Sequence, residues 1–123
     1  MDRDELIAYC LAKPGAEETY PFGEDDVVAK VGGKMFALVN LALDPGGLMV
    51  KCGRDAEDAR SWRDRFPAAV LVAPYLGRYG WNRVSLTGIV PVDDVLEMVD
   101  VSYDSVVSRL PLACAHRAAR TLT

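Results

Sequence analysis

The stretch Val27-Val28-Ala29-Lys30-Val31-Gly32-Gly33-Lys34-Met35-Phe36-Ala37-Leu38-Val39-Asn40-Leu41 decides the fold. It holds two apolar, strand-like runs, residues 27–31 and 35–41, separated by a pair of glycines that suits a two-residue hairpin turn. Upstream, a shorter run at 17–20 reads as another strand; downstream, Asp44-Pro45-Gly46-Gly47 marks a longer turn before a strand at 48–52. Successive short strands joined by turns of this length predict an antiparallel meander.

Helical periodicity flanks and interrupts this sheet. Asp2 with Glu5 three residues later forms a capping-box-like start, and Leu6, Ile7, Cys10 and Leu11 recur at helical spacing until Pro14-Gly15, which predicts a helix over 3–12. Residues 55–66 form a second helix, with Ala56, Ala59, Trp62 and Phe66 on one side and Pro67 ending it. Its acids are matched by Arg54, Arg60, Arg63 and Arg65. A strand-like piece at 69–72 leads through a Gly- and Tyr-containing loop to a strand at 81–87. Asp93 and Asp94 suit a third helix N-terminus, and Val95, Leu96, Val99, Tyr103, Val106 and Leu110 carry that helix to Pro111. Ser102 reads either as an interior position of this helix or as the cap of a second, kinked part. Residues 112–122 suit a weaker terminal helix. The class is therefore α+β, an antiparallel β-sheet with helices packed on one face, in a single domain over residues 1–123. Such a sheet leaves its other face to solvent.

Length and composition set the outer bounds. A chain of 123 residues, 50% apolar, closes one core and not two. No apolar run reaches the roughly 20 residues needed to cross a bilayer, and the start Met1-Asp2-Arg3-Asp4-Glu5 lacks the basic and apolar regions of a secretory signal. Cys10, Cys52 and Cys114 are odd in number, widely spaced and set among apolar residues, as free buried thiols in a reducing compartment are. Together these predict a cytoplasmic, monomeric protein with no membrane contact.

Charge is more informative by region than in total. The net charge is −4, but residues 1–26 carry −6, residues 27–92 carry +4 and residues 93–123 carry −2. With the self-neutralised second helix set aside, the central surplus belongs to Lys30, Lys34, Lys51, Arg78 and Arg83. Strand alternation puts Lys30 with Val28, Lys51 with Met49, and Arg83 with Ser85 on the face opposite the apolar sets. Lys30, Lys51 and Arg83 are thus expected on the open face, with Lys34, Arg78 and the aromatics Tyr75, Tyr79 and Trp81 near it. Cations beside rings suit a polyanion whose bases stack, so Lys30, Lys34, Lys51, Arg78, Trp81 and Arg83 form the candidate nucleic-acid surface. The competing reading is a solvated basic face that protects the sheet. A pI near 4.9 argues against tight, general DNA binding, which draws on phosphate neutralisation.

Catalytic patterns are absent from the sequence. His116 stands alone, no serine or cysteine falls in a nucleophile motif, and Gly32-Gly33 and Gly46-Gly47 read as strand turns, not phosphate loops. A non-enzyme without cofactor or metal is expected. Pro21-Phe22-Gly23 reads as a tight turn with a buried ring, and Trp62, Phe66, Trp81 and Tyr103 read as core.

The ordered signatures Pro14-Gly15-Ala16-Glu17-Glu18, Pro21-Phe22-Gly23, Gly33-Lys34-Met35-Phe36-Ala37, Lys51-Cys52, Trp81-Asn82-Arg83-Val84, Leu86-Thr87-Gly88, Ser102-Tyr103-Asp104 and Leu110-Pro111 resemble the small bacterial MmcQ/YjbR family. The resemblance runs from about residue 6 to residue 117. It implies a CyaY/frataxin-like sheet backed by helices, sometimes described as a double wing, and a DNA-binding role. Arg78 stands where the family commonly has a Met-Asn-Lys-like stretch before the tryptophan; Leu112-Ala113-Cys114-Ala115 replaces its lysines after Leu-Pro, leaving Arg117 and Arg120. The frataxin-like arrangement would turn the acids Asp2, Asp4, Glu5, Glu17, Glu18, Glu24, Asp25 and Asp26 toward iron, but their scattered spacing defines no site. The expected role is a non-enzymatic binding module, with weak DNA binding through the basic sheet face as the first reading and a protein-interaction or adaptor domain as the alternative.

Overall fold

A computed structural model of the chain describes residues 2–42, 46–53, 55–74 and 76–111. Their elements are α1 (Arg3–Leu11), β1 (Glu17–Thr19), β2 (Asp26–Val31), β3 (Lys34–Asn40), β4 (Gly47–Lys51), α2 (Ala56–Arg65), β5 (Val70–Val72), a 3₁₀ turn (Gly77–Tyr79), β6 (Trp81–Ser85) and α3 (Val92–Val107). The strands form one sheet in the order β1-β2-β3-β4-β6-β5, antiparallel at every pairing. The expected meander is its first four strands. The chain then crosses through α2 to the far edge before β6 returns to pair with both β4 and β5. The terminal helix expected over 112–122 lies outside the described residues, as do Cys114 and His116.

The β2–β3 hairpin turns on Gly32 and Gly33, both in the left-handed region at φ 58° and 80°. A type I′ turn needs that at both positions, and glycine meets the need without strain. Gly32 has a second reason to lack a side chain: a Cβ there would lie 2.7 Å from Leu110 Cδ1.

Helices cover one face. α1 lies over β2 and β3, α3 over the central β3 and β4, and α2 over β5 and β6. The core between them holds Ala29, Val31, Phe36, Val39, Leu48, Val50, Val84, Met98 and Val99. Asp2 caps α1 by accepting from the Glu5 N–H at 2.8 Å, and Asp55 caps α2 by accepting from Glu57 and Asp58. Cys10 and Cys52 are free and buried; burial pushes their thiols up to about 12 and about 11.

Polar side chains tie the elements together. Pairing of β2 with β3 slips after Ala29, so that Lys30 faces Met35 and Phe36 is the extra residue of a bulge. Its ring is fully buried and meets Tyr103 edge-on, with centroids 5.2 Å apart. The β3–β4 register runs only as far as Ala37 opposite Val50. One step beyond, the hydroxyl of Ser102 accepts from the Lys51 N–H at 2.9 Å and donates to the Phe36 carbonyl. Ser102 is therefore an interior residue of one continuous α3, in the role of a ladder pair. Asn82, fully buried, donates to the Ala59 carbonyl at 2.8 Å and accepts from Arg63 at 2.7 Å, fastening α2 to β6. The Tyr103 hydroxyl donates to the Pro14 carbonyl and holds the turn after α1.

Candidate ligand groove on the open face

The sheet's second face is not the basic surface that alternation predicts. Across its middle run Thr19, Val28, Leu38, Met49, Arg83 and Leu71 in register, one from each strand. Val28 is fully buried and Leu38 is 8% exposed, while Arg83 is exposed. Next to this row lie Asp26, Asn40, Gly47 and Ser85, also in register.

Above these rows the surface is concave. A groove of about 750 Å³ has Leu38, Met35 and Met49 as its floor, with Phe22 from the β1–β2 connection and Pro74 and Leu76 from the β5–β6 connection as walls. Asp26, Asn40, Gly47 and Arg83 make its polar margin. Asn40 Nδ2 donates to Asp26 Oδ1 at 2.8 Å. Arg83 folds across the strand rather than standing away from it: a Cβ on Gly47 would come within 3.2 Å of Arg83 Nε and 3.8 Å of Nη2. Apolar lining with a few placed polar groups, in a volume of this order, is the usual form of a ligand site.

The six residues read as a nucleic-acid surface separate into two groups. Lys34, Arg78 and Arg83 are exposed, and Lys30 is half-buried opposite Glu17 of β1. Lys51 and Trp81, each 7% exposed, are not surface residues; this corrects the surface expectation for both, while the reading of Trp81 as a buried ring stands. At this end of the sheet, backbone bonds continue past the strands: Ala73 N–H donates to the Trp81 carbonyl, Trp81 N–H to the Leu76 carbonyl and Cys52 N–H to the Gly80 carbonyl. Lys51 pairs directly with Trp81 in the register. Burial and, secondarily, the charge of Arg109 hold its pKa below the usual lysine value. Arg78 stacks on Tyr79, its guanidinium 4.8 Å from the ring centroid, and Tyr79 is 55% exposed. Tyr75 lies outside the described residues.

Phe22 is also corrected. Its ring, expected in the core, is 65% exposed at the groove's rim. The groove residues went unread because they come from strands far apart in sequence and from two connections whose paths no periodicity gives. A signal was present nonetheless: alternation put Val28 and Met49 on the face assigned to solvent, and apolar residues there imply cover or a ligand.

Other features offer less chemistry. A second concavity of about 620 Å³ lies where Asp2, Arg3 and Asp4 of the α1 start meet the residues leading into α3. Lys13 pairs with Asp100, which also accepts from the Tyr9 hydroxyl at 2.6 Å. Among the described residues no group of three or more His, Cys, Asp or Glu is placed to hold a metal ion, and no helix is long and apolar enough to cross a membrane.

An antiparallel sheet backed by helices on one face places the chain among small α+β proteins. The YjbR family model matches residues 11–105. The chain is 31% identical over 111 residues to the uncharacterised protein YjbR of Escherichia coli K12, covering 90% of this chain and 92% of that protein, and the O157:H7 protein matches equally. The crystal structure of Deinococcus radiodurans protein DR2400, with a DUF419 domain, superposes with a TM-score of 0.86 at 28% identity, over 96% of this chain and 88% of that one. A Pseudomonas syringae protein shares the fold with a TM-score of 0.64 at 19% identity, over 83% and 96% of the two chains. The chain belongs to the YjbR family.

Proposed function

We propose that this protein is a non-enzymatic binding module whose site is the groove on the open sheet face, and that the groove receives a segment of a partner protein. The observation that carries this is the apolar lining by Phe22, Met35, Leu38, Met49 and Leu76, where a nucleic-acid surface would present cations. Burial of Lys51 and Trp81 removes two of six candidate phosphate or base contacts, and Glu17 sits opposite a third, Lys30. A net charge of −4 opposes long-range attraction of a polyanion. Apolar burial with few charges instead suits protein recognition, in which desolvated side chains supply most of the affinity.

Photo-crosslinking tests the reading. Phe22 is replaced by p-benzoylphenylalanine in cells, and adducts are identified by mass spectrometry. A defined peptide adduct that disappears when Met49→Asp is added supports the proposal; absence of any Met49-dependent peptide adduct refutes it.

Nucleic acid is the second reading, favoured by one observation: Arg78 is stacked on exposed Tyr79, a cation and a ring presented together. Anisotropy titrations with single- and double-stranded DNA at low and near-physiological salt decide it. Saturable, salt-sensitive binding that a Lys34→Glu/Arg78→Glu/Arg83→Glu variant loses would establish this role; no binding at low salt would remove it.

A further inference from the structure

We infer that the partner segment held by the groove carries a carboxylate, seated on Arg83 and flanked by apolar side chains that lie over Leu38 and Met49; this rests on the groove being a protein-docking site. Arg83 pairs with Met49 across the β4–β6 ladder, so its charge is carried beside the apolar floor, at the groove's polar margin. Glycine at position 47 leaves this placement unobstructed. The guanidinium group lies over Gly47, with Nε 3.2 Å from where a Cβ would stand.

Arg83 is exposed, so its guanidinium is open to an incoming ligand. Ion pairs among the described residues join Lys13 to Asp100, Arg60 to Asp64 and Arg65 to Asp94, and none includes Arg83. The acid that shares the groove, Asp26, accepts from Asn40 Nδ2. Arginine presents a planar fork that matches a carboxylate with two parallel hydrogen bonds, and such bonds strengthen where a docked apolar ligand excludes water. One cation at the margin of an apolar groove complements one anion within an apolar segment. It does not complement a phosphodiester chain, whose repeated charges would also pass Asp26.

Random dodecapeptides displayed on phage and panned against the whole chain provide the test. Selected peptides are expected to place Asp or Glu between large apolar residues and to lose binding to a Met49→Asp variant of unchanged melting temperature. Changing the peptide acid to its amide should weaken binding about tenfold or more. Arg83→Gln should weaken the acidic peptide by a similar factor, leave the amide peptide unchanged, and be partly rescued by Arg83→Lys. Peptides that need Met49 but tolerate both the amide and Arg83→Gln would overturn the carboxylate inference and leave the docking site standing. Failure to select any Met49-dependent peptide would overturn the docking reading and this inference together.

Discussion

Ser102 shows how much one hydroxyl can hold. It closes the gap between Phe36 and Lys51 where the bulge ends the ladder, and it is fully buried. Ser102→Ala leaves a buried carbonyl and a buried N–H without partners, and should cost about 1–3 kcal/mol in a urea titration. Asn82 is a parallel case, since an apolar replacement would remove its bond to the Ala59 carbonyl and release Arg63. Asn82→Leu is expected to destabilise by about 2 kcal/mol or more on the same assay. Both residues sit in the ordered signatures, and their types were legible in the sequence while their partners, 66 and 23 residues away, were not. At Lys51 the sequence reading failed for the same reason, because alternation gives a side chain's face and says nothing about what distant residues cover it.

Among elements, α2 and its approach carry the clearest constraints. Asp55 accepts from two N–H groups at the start of α2, and Asp55→Ala should lower stability by about 1 kcal/mol. Just before it, Gly53 has φ 127°, and a Cβ there would lie 2.2 Å from the Cβ of Asp58. Gly53→Ala therefore combines backbone strain with a clash, and a loss of about 2–4 kcal/mol is expected from thermal or denaturant unfolding. Periodicity placed all three described helices and every strand to within a few residues, because each buries one face and its pattern of apolar residues says so. It did not order the strands. The pairing of β6 between β4 and β5 depends on where α2 crosses, a matter of packing among distant residues.

For the whole molecule, the buried thiols set a pH dependence. Their folded pKa values, about 12 for Cys10 and about 11 for Cys52, lie above the ordinary thiol value near 9.0. A group raised on folding contributes stability that is fully present below its unfolded pKa and is lost as pH rises through the folded one. The urea midpoint should thus fall from about pH 9 upward, and less steeply in a Cys10→Ala/Cys52→Ala variant compared with its own neutral-pH midpoint. Below that window these thiols contribute no slope.

The sequence by itself determined the α+β class, the helices and strands, the hairpin at Gly32-Gly33 and the family, because local periodicity, turn chemistry and short ordered signatures are written along the chain. Tertiary structure alone decided the strand order, the burial of Lys51, and the exposure of Phe22. It also decided the groove, which exists only where the β1–β2 and β5–β6 connections rise on either side of the sheet. A concave surface is a relation among backbones remote in sequence, and no local pattern encodes it.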